Sequence, residues 1–571
     1  GRMSWEPMSD YDSYERARAD FSWDLPGRYN PARYCLRSHE NPGPADRTAL
    51  VDAPTGTRYS FRDIDRAAGR LATALADRGI EPGDRVGVVA PQRPETPITH
   101  MACWLLGAVT IPLTTLFGRD ALAYRLDDAG ARAVVFAPSV RDDLAVASSE
   151  CPDLEVAVAL AERPYYVGEP DVPAEGGAAI DCEVVDSEAF VADRAADVEP
   201  HDSTPATDSA VMYTSGSTGP PKGVRHGHAL WVGRAAAAFN FFEGGLGADT
   251  VAWTPADWAW GSALGGLLMG TWHQGGTVVA APMEGFDAGA AFEVLEEYGV
   301  TEALVPPTAL RMMMNAEAPA GLPLETIASA GEPVTPEILA WADEALEGVS
   351  VNEYYGQTEL NLVVANASRW FETQPGSMGK PLPGYDVRVV DPDLPEDATD
   401  PGELPRGEIG EIAVRPGDDR VFFTEFWNRP AATAAKTRGE WSLTDDLARQ
   451  DAEGYLWFES RKDDVIITSG YRVGPREVEE AVLGHPAVEQ AGVVGVPDET
   501  RGEGIKAFVE PTAHADPGDD LREQLRERAR NRLAEYEYPR EVEFVDALPK
   551  TSTGKIRRVD LRERERGGDD E

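Results

Sequence analysis

The sequence predicts an α/β protein with a large N-terminal domain, residues 1–462, and a small α+β C-terminal domain, residues 463–571. Three observations lead to this prediction. Helical and strand-like segments alternate from residue 57 onward, which is typical of a largely parallel α/β region. Further along, "YDVRVV" and "GEIAVR" are short alternating strands of a β-rich subdomain, and a separate α+β pattern follows Asp463. A chain of 571 residues is also too long for a single hydrophobic core.

The first predicted helix of this alternation lies in "SFRDIDRAAGRLATALADRG". Its apolar residues recur at helical spacing, at Ile64, Ala68, Leu71 and Leu75. Ser60 and Asp63 form a capping-box pattern at its start, and Gly79 is a stop signal. Buried strands are then predicted in "RVGVVA", "ARAVVFA", "TVVAA", "TEALVP" and "ETIASA". In the C-terminal domain we predict helices near 475–484 and 519–535 and strands near 489–496, 505–510 and 541–546.

The charge is strongly acidic, with 99 acidic and 53 basic residues and a net charge of −46. The seven lysines are Lys222, Lys380, Lys436, Lys462, Lys506, Lys550 and Lys555. Nucleic acid is a poor partner for such a surface. Because the acidic residues are spread along the whole chain and lysine is scarce, the composition favours a halophile's protein whose self-repulsion is relieved by salt; a merely acidic mesophilic protein is the alternative.

No secretion signal or membrane-spanning run is expected, so the predicted location is cytoplasmic. The most apolar segment, "MACWLLGAVTIPLTTLF", is interrupted by Gly107 and Pro112 and predicts a buried helix followed by a strand. The four cysteines lie far apart, which suggests neither a disulfide framework nor a zinc site.

A phosphate-binding loop is predicted in "YTSGSTGPPKGV", residues 213–224. Glycines let successive N–H groups curl around an anion, although a flexible linker has a similar composition. Pro221 before Lys222 and Gly223 after it exclude a Walker A loop. The strand "SAVMY" precedes the loop and a helix is predicted from about residue 226, so a phosphate could lie at that helix's N-terminus.

Five further motifs follow in order: "AGEPV" (330–334), "YYGQTE" (354–359), "LTDD" (443–446), "SRKDDVIITSGYRVGPREVE" (460–479) and "LPKTSTGKIRR" (548–558). Together with the loop they resemble the core motifs of the adenylate-forming superfamily, which includes acyl-CoA synthetases, nonribosomal adenylation domains and luciferases. The resemblance covers roughly residues 50–560 and is greatest to the medium-chain and acetyl-type acyl-CoA synthetases. It implies the adenylate-forming fold, in which a hinge joins the two domains.

The resemblance also implies a two-step reaction. A carboxylic acid attacks the α-phosphate of ATP, held with Mg²⁺, to give an acyl-adenylate and pyrophosphate. Coenzyme A then displaces AMP to give the acyl-CoA. Positioning and charge neutralisation dominate such chemistry. The expected partners are therefore small molecules: the acid, ATP and coenzyme A. Whether the chain forms a homo-oligomer is left open.

Site roles carry over from the family only where the motifs match. The residues expected around the ATP phosphates are Thr214, Ser215, Gly216, Ser217, Thr218, Gly219 and Lys222. Those expected elsewhere around the nucleotide are Gly331, Glu332 and Pro333 at the adenine, Tyr355 and Gln357 in the "YYGQTE" motif, and Asp446 and Arg461 at the ribose. The predicted catalytic residues are Thr358, Glu359 and Lys555, of which Thr358 contacts phosphate and Lys555 reaches the α-phosphate and the attacking carboxylate. Glu359 and Thr214 are the predicted Mg²⁺ ligands.

The small domain is expected to supply the remaining contacts. Arg472 matches a contact to the adenylate phosphate, Gly470 the passage of the pantetheine arm, and Asp463 the hinge. Without the family resemblance, the alternative interpretation is that Glu359 and Lys555 are solvated charges and that Arg472 forms a surface ion pair. One departure from the family is Thr444-Asp445-Asp446, where the family usually has Thr-Gly-Asp: either the backbone does not need glycine there or the assignment slips by one.

The acyl pocket is predicted from Gly356, which stands where acetate-specific relatives carry a blocking tryptophan. Its absence predicts an acid larger than acetate, medium-chain, branched or aromatic, unless Gly356 only satisfies a tight turn. Leu360-Asn361 replaces the Thr-Gly of many medium-chain relatives, which leaves chain length and branching open. Trp258 and Trp260 line this pocket, line the pantetheine channel, or belong to the core.

Two other functions remain open at this point. One is a stand-alone adenylating enzyme that loads a carrier protein, and the formation of a thioester with free coenzyme A distinguishes it. The other is a nucleotide-binding sensor without turnover, which predicts a damaged catalytic set. Glu359, Arg461 and Lys555 are all present, which disfavours the sensor.

Overall fold

The computed structural model describes residues 6–37, 46–173, 178–214, 220–469, 471–533, 537–551 and 554–567. The strands up to residue 381 are β1 (Thr48–Asp52), β2 (Thr57–Ser60), β3 (Arg85–Val89), β4 (Val109–Leu113), β5 (Ala131–Phe136), β6 (Val156–Ala159), β7 (Glu183–Asp186), β8 (Asp208–Tyr213), β9 (Gly223–Gly227), β10 (Val251–Trp253), β11 (Thr277–Ala280), β12 (Glu302–Leu304), β13 (Thr326–Ser329), β14 (Ser350–Gly356), β15 (Leu362–Ala365) and β16 (Lys380–Pro381).

The helices of the same part of the chain pack on these strands. They are α1 (Tyr14–Asp20), α2 (Pro31–Arg37), α3 (Phe61–Asp77), α4 (Glu95–Leu106), α5 (Arg119–Asp128), α6 (Arg141–Ser148), α7 (Ser187–Val191), α8 (Ala229–Phe241), α9 (Gly270–His273), α10 (Ala288–Glu297), α11 (Pro307–Met313) and α12 (Pro336–Ala345). A 3₁₀-helix spans Pro138–Val140 and a π-helix spans Ser262–Met269.

The strands of this part form two mixed sheets, to which β19 (Phe423–Phe426) adds one edge strand. One sheet has the order β16-β15-β14-β13-β12-β10-β11-β1-β2, and the other β19-β9-β8-β4-β3-β5-β6-β7. The central pairs of both sheets are parallel, and the antiparallel pairs lie toward the edges. The prediction of a largely parallel α/β region is therefore confirmed.

Local signals in the sequence account for the early elements. Ser60 caps α3 with the predicted capping box: its hydroxyl accepts from the N–H of Asp63, and the Asp63 carboxylate accepts from the N–H of Ser60. The segment interrupted by Gly107 is helix α4 followed by strand β4, as predicted, with Gly107 at φ 84° ending the helix. Within the described residues, no helix is both long and apolar enough to cross a membrane.

The helix predicted from about residue 226 is present, but it is preceded by a strand that was missed by sequence reasoning. After the phosphate-type loop the chain returns as β9, which pairs antiparallel with β8 and with β19. Helix α8 begins only at Ala229. The loop is thus a connection between two antiparallel strands, and the N-terminus of α8 does not follow it directly.

Helix α8 forms part of the main core. All 13 of its residues are buried, as expected of a helix that packs on every side. Trp231 on this helix packs against Trp104 of α4, with 5.0 Å between the ring centroids. Arg234 is the one charged residue of α8, and it is only 2 % exposed.

The β-rich subdomain predicted near 384–460 is confirmed. It contains β17 (Tyr385–Val390), β18 (Ile409–Pro416), helix α13 (Pro430–Lys436), β20 (Thr437–Arg438), β21 (Trp441–Gln450) and β22 (Leu456–Arg461). Its antiparallel sheet has the order β17-β18-β21-β20, with β22 also paired to β21. Asp446 and Arg461 lie directly opposite each other in the β21–β22 pair.

The C-terminal region forms its own sheet and core. Its elements are β23 (Ile466–Thr468), β24 (Tyr471–Val473), α14 (Pro475–Leu483), β25 (Val488–Asp498), β26 (Gly502–Pro511), α15 (Asp519–Arg532), β27 (Glu541–Phe544) and α16 (Arg558–Gly567). The two helices and three strands predicted for this region are present, and β23, β24 and α16 were missed by sequence reasoning. The boundary at residues 462/463 stays a prediction.

Strand β12 buries an acidic side chain, Glu302, which is only 1 % exposed and whose Oε2 has no hydrogen-bond partner among the described residues. Burial, with the nearby charges of Glu325 and Glu243, raises the pKa of Glu302 to about 9, and the Thr326 hydroxyl opposes this. The folded state therefore favours the protonated acid. Since the folded pKa is the higher one, this group's contribution to stability is complete below its unfolded pKa and is lost as the pH rises toward 9.

We expect Glu302→Gln to remove that loss. Between pH 6 and 8 the wild-type protein should lose on the order of 2 kcal/mol of unfolding free energy through this group, and the variant should not. Thermal or denaturant unfolding at both pH values measures it. Glu293→Gln, which removes an exposed carboxylate of α10, is the control and should keep the wild-type slope. An identical pH slope in Glu302→Gln would contradict the assignment.

Candidate active site

The neck of the phosphate-type loop is closed by hydrogen bonds between its two ends. The N–H of Thr214 donates to the carbonyl of Lys222 at 3.0 Å, and the N–H of Lys222 donates to the Thr214 hydroxyl at 3.3 Å. The Lys222 ammonium lies 5.5 Å from the centroid of the Phe426 ring. The predicted phosphate ligands Ser215, Gly216, Ser217, Thr218 and Gly219 lie outside the described residues.

The centre of the site is the carboxylate of Asp446, which is 4 % exposed. Its Oδ2 accepts from the Tyr355 hydroxyl at 2.6 Å and from Gln357 Nε2 at 2.8 Å, and its Oδ1 accepts from Arg461 Nη1 at 3.2 Å. A carboxylate offers about four acceptor positions, so three are occupied by the protein. One acceptor position is left for a further donor, and a pair of ribose hydroxyls requires one protein donor to move.

Asp445 explains the departure from the family pattern. It adopts φ 58°, the left-handed conformation that glycine takes most easily. Its N–H donates to Glu411 Oε1 at 2.9 Å, and its carbonyl accepts from the N–H of Lys462 at 2.8 Å. The side chain of Asp445 is exposed, whereas that of Asp446 is buried in the cluster. The backbone at Asp445 therefore has the conformation for which glycine is customary, and the assignment of Asp446 to the ribose stays a prediction.

Arg461 joins this cluster to the start of the small domain. Its Nε lies 3.6 Å from Asp463 Oδ1. Burial alone would lower the pKa of Arg461, but the charges of Asp446, Asp463 and Asp445 outweigh it and raise the pKa well above its usual value. Arg461 is therefore a fixed cation. Asp463 lies in a turn just before β23, and its hinge role stays a prediction.

Thr358 and Glu359 are held by their backbones. His226 of β9 contacts the carbonyl of Thr358 at 2.6 Å, and the N–H of Phe423 donates to the carbonyl of Glu359 at 2.9 Å. Among the described residues no hydrogen bond or ion pair occupies the Glu359 carboxylate, which is half-buried. Its charge opposes the lowering of the pKa at Arg234 and Lys555, so it lies near both cations.

Lys555 of the small domain lies near the Asp446 cluster. The turn that carries it is closed by the N–H of Thr551 donating to the carbonyl of Lys555 at 2.7 Å, with Gly554 at φ 86°. The side chain keeps solvent access, yet the surrounding protein displaces enough water to lower the pKa of its ammonium. Arg461 acts in the same direction, and Asp446 and Glu359 oppose it. The structure therefore brings Lys555 together with the Asp446 cluster.

The predicted adenine stretch contacts Thr308, which also accepts a hydrogen bond from the small domain. Gly331 has φ 98°, and nothing lies within 4 Å of the position a Cβ would take. The Glu332 carboxylate accepts from the Thr308 hydroxyl at 2.6 Å and from Arg311 Nη2 at 2.9 Å. Gln490 of β25 donates to the same Thr308 hydroxyl at 2.8 Å. Pro333 is the last residue of the predicted stretch. Because Gln490 belongs to the small domain, its hydrogen bond shows that this domain reaches the residues around Glu332.

A buried ion pair fixes the small domain against the large one. Arg476 of α14 lies 3.3 Å from Glu353 of β14 and 2.9 Å from Glu480. Burial raises the pKa of Glu353 to about 7, although Arg476 and the N–H of Val334 oppose it. This arrangement is the one in which Lys555 faces Asp446.

Two other predicted residues of the small domain remain undecided. Gly470 lies outside the described residues. The backbone of Arg472 pairs with Ile467 in the β23–β24 hairpin. Its predicted phosphate contact concerns the side chain and stays a prediction.

Comparisons with known proteins match this architecture. A model of the AMP-binding enzyme family matches residues 37–418, and a model of the AMP-binding enzyme C-terminal domain matches residues 477–555. The chain belongs to the AMP-binding enzyme family. It is 31 % identical over 573 residues to the mitochondrial acyl-coenzyme A synthetase ACSM3 of Mus musculus. The matched region covers 97 % of this chain and 94 % of that protein. The prediction of an adenylate-forming enzyme of the acyl-CoA synthetase type is therefore confirmed.

Solved structures of the family share the fold. The anthranilate CoA ligase AuaEII, solved with anthranoyl-AMP, superposes with a TM-score of 0.83 at 27 % identity and covers 96 % of this chain and 99 % of its own. A benzoate CoA ligase from Burkholderia xenovorans LB400 gives a TM-score of 0.79 at 26 % identity, with 94 % and 100 % covered. The predicted adenylate-forming fold is thus confirmed.

The prediction that the missing side chain of Gly356 opens the acyl pocket has the wrong physical reason. A Cβ at Gly356 would lie 2.3 Å from the carbonyl oxygen of Asn361 and 2.8 Å from Cα of Leu362. The missing side chain therefore allows the close approach of β14 and β15 and does not open a pocket. Trp258 is fully buried in the main core, and Trp260 packs against that core at the start of the π-helix. Whether either of them lines the acyl pocket stays a prediction.

Three site residues of this family member were missed by sequence reasoning. Lys436 at the end of α13 donates from Nζ to Gln357 Oε1 at 3.0 Å. His226 contacts Thr358, and Arg234 donates from Nη2 to the carbonyl of Gln357 at 3.4 Å. Lysine scarcity was a usable signal for Lys436, and a single arginine in an apolar helix was one for Arg234.

We expect the left-handed conformation of Asp445 to govern its substitutions. Asp445→Gly should be at least as stable as wild type, because glycine adopts φ 58° without steric cost. Asp445→Val should be less stable than Asp445→Asn by about 1–2 kcal/mol, because a branched side chain is disfavoured there and asparagine is tolerated. Thermal unfolding compares the three variants, and Asn and Val both remove the charge. Equal stability of the Val and Asn variants would contradict the assignment.

Proposed function

We propose that the protein is an ATP-dependent acid–CoA ligase that forms an acyl-CoA through an acyl-adenylate and releases AMP and pyrophosphate. The observation that carries the proposal is that Lys555, from the small domain, lies near enough to Asp446 and Glu359 for both carboxylates to raise the pKa of its ammonium. A cation beside the nucleotide site is what attack by a carboxylate on an α-phosphate requires, because both reactants are anionic. The names of the relative and of both solved ligases, which describe CoA-ligating enzymes, support the same reaction.

The residues of this chain divide the work of the first step. Asp446 accepts a hydrogen bond from the ribose, and Arg461 supplies a fixed positive charge beside it. The loop closed by Thr214 and Lys222 holds the β- and γ-phosphates. Lys555 compensates the charge on the α-phosphate and the attacking carboxylate. Preorganised charges of this kind act without reorganisation at the moment of reaction.

The donor set also fits a divalent cation. Glu359 offers a half-buried carboxylate without a hydrogen-bond or ion-pair partner among the described residues, and Thr214 offers a hydroxyl at the neck of the loop. Oxygen ligands of this type are those Mg²⁺ prefers. When bound, Mg²⁺ would neutralise phosphate charge.

The second step requires the small domain to move. Lys555 must leave the cleft so that the thiol of coenzyme A can reach the acyl carbon, and Asp463 lies in the turn where such a movement would start. The pantetheine arm would pass Gly470. The preferred acid is proposed to be larger than acetate, medium-chain, branched or aromatic. The reason drawn from Gly356 no longer holds, and the acids named for the two solved ligases support the aromatic part of this class.

We expect Lys555→Ala to lose adenylate formation by about two to three orders of magnitude, because single positioned charges are worth on the order of 3–4 kcal/mol in such transition states. Thioester formation from supplied acyl-adenylate and coenzyme A should remain. Acid-dependent pyrophosphate release and acyl-CoA formation measure the two steps separately.

The matched control is Lys550→Ala. Lys550 lies in the same motif, is exposed, and pairs through its backbone with Ile556. It should keep adenylate formation. A parallel loss of both steps in folded Lys555→Ala, or a similar loss in Lys550→Ala, would contradict the role given to Lys555. Thioester formation only on a carrier protein and never with free coenzyme A would identify the alternative enzyme class.

A further inference from the structure

Arg234 is a buried cation that makes no ion pair with any of the described residues. It lies in α8, which is buried on all sides, and no carboxylate oxygen of the described residues lies within ion-pair distance of it. Its Nη2 donates to the carbonyl of Gln357 at 3.4 Å, and its Nε has no hydrogen-bond partner in the described part of the chain. Burial lowers the pKa of Arg234 to about 10, which leaves it charged at neutral pH. Burying an unpaired charge costs several kcal/mol, so such a residue requires a physical reason.

Other polar atoms around Arg234 are also unsatisfied. The hydroxyls of Tyr354 and Tyr385 are buried and make no well-formed hydrogen bond, although Ser262 and Asn361 lie close to them. Both tyrosines are near enough to influence the charge of Arg234. Hydroxyl and guanidinium groups donate hydrogen bonds, so this group of side chains is complementary to an anionic acceptor.

Arg234 lies beside the segment that carries Trp260, one of the residues predicted for the acyl pocket. Its Nη2 lies 3.6 Å from the position of a Cβ at Gly261, the residue directly after Trp260. Its stem packs over Gly265 of the π-helix, with Cγ 2.7 Å from the Cβ position there. The guanidinium therefore lies between the tryptophan segment and the carbonyl of Gln357. Helices of the π type occur frequently at functional sites.

Resting on the proposed ligase function, we propose that Arg234 determines acid specificity by pairing with a second carboxylate on the tail of the substrate. The preferred substrate class is then a dicarboxylic acid. One carboxylate is activated at the α-phosphate, and the other compensates Arg234 and accepts from the neighbouring hydroxyls. An alkyl tail at this place would leave the cation unpaired, and a site built for a polar group discriminates strongly against a substrate that lacks it.

A second role for Arg234 can be distinguished from recognition of the substrate tail by experiment. Glu359 influences Arg234 through space without contacting it, so Arg234 could instead serve as a distant counter-charge to the "YYGQTE" motif. That role affects every acid equally, because Glu359 is needed whatever the tail. Tail recognition affects dicarboxylic acids alone.

The first measurement uses the wild-type enzyme. Pyrophosphate release and acyl-CoA formation are followed with straight-chain monocarboxylic acids of four to ten carbons, with the dicarboxylic acids of the same lengths, and with the monomethyl esters of those diacids. We expect at least one diacid to exceed both its monoacid and its half-ester in kcat/KM by tenfold or more. Monoacids that equal or exceed the diacids at every length would overturn the proposal, whereas no turnover with any acid would instead refute the ligase function.

The second measurement uses variants. Arg234→Met should lower kcat/KM for the best diacid by tenfold or more and raise it for the matching monoacid, and Arg234→Lys should retain part of the diacid preference. Arg369→Met is the matched control: Arg369 is also largely buried, but it is paired with Asp10 at 3.3 Å and Asn240 at 3.0 Å. Its diacid-to-monoacid ratio should stay at the wild-type value. An equal loss for all acids in Arg234→Met would assign it to the counter-charge role and overturn the proposal; should that variant not fold, the wild-type panel and Arg234→Lys decide.

Discussion

The hydrogen bonds to the Asp446 carboxylate are the interaction on which the site depends. They join the end of β14, through Tyr355 and Gln357, to the β21–β22 pair, through Arg461. Without these donors a buried carboxylate would be strongly unfavourable, so the three segments must stay in register. Lys555, from the small domain, therefore lies near side chains whose positions are fixed by these hydrogen bonds. In a chain of net charge −46, this cleft gathers a local set of cations that can hold an anionic nucleotide.

The small domain is held in this arrangement by contacts that its movement must break. Arg476 is paired with Glu353 at 3.3 Å inside the interface, and removing one partner of a buried pair is costly. In this arrangement burial raises the pKa of Glu353 to about 7 although Arg476 opposes it, so the carboxylate of the pair becomes protonated as the pH falls below about 7. The strength of this contact between the domains therefore depends on pH near neutrality.

Much of the fold was predictable because its signals are local. The capping box of Ser60 and Asp63 specifies the start of α3 from four adjacent residues, and the short strands follow apolar runs. The return of the chain as β9 was missed: its pairing with β8 is local, but its other neighbour in the sheet, β19, lies about 200 residues away along the chain. Gly356 shows what the sequence alone does not determine about the site. A missing side chain indicates an opening or a close approach, and only the position of the Asn361 carbonyl distinguishes them.

The most direct test of this account is the affinity of the enzyme for ATP relative to 2′,3′-dideoxy-ATP, measured by calorimetry in wild type and in Asp446→Asn. If Asp446 accepts a ribose hydroxyl, the wild-type enzyme should bind ATP about tenfold more tightly or better, as expected for a hydrogen bond to a charged group. The Asp446→Asn variant should lose most of that preference. An equal preference in both proteins, or none in wild type, would show that the Asp446 cluster is a structural junction and not the ribose site.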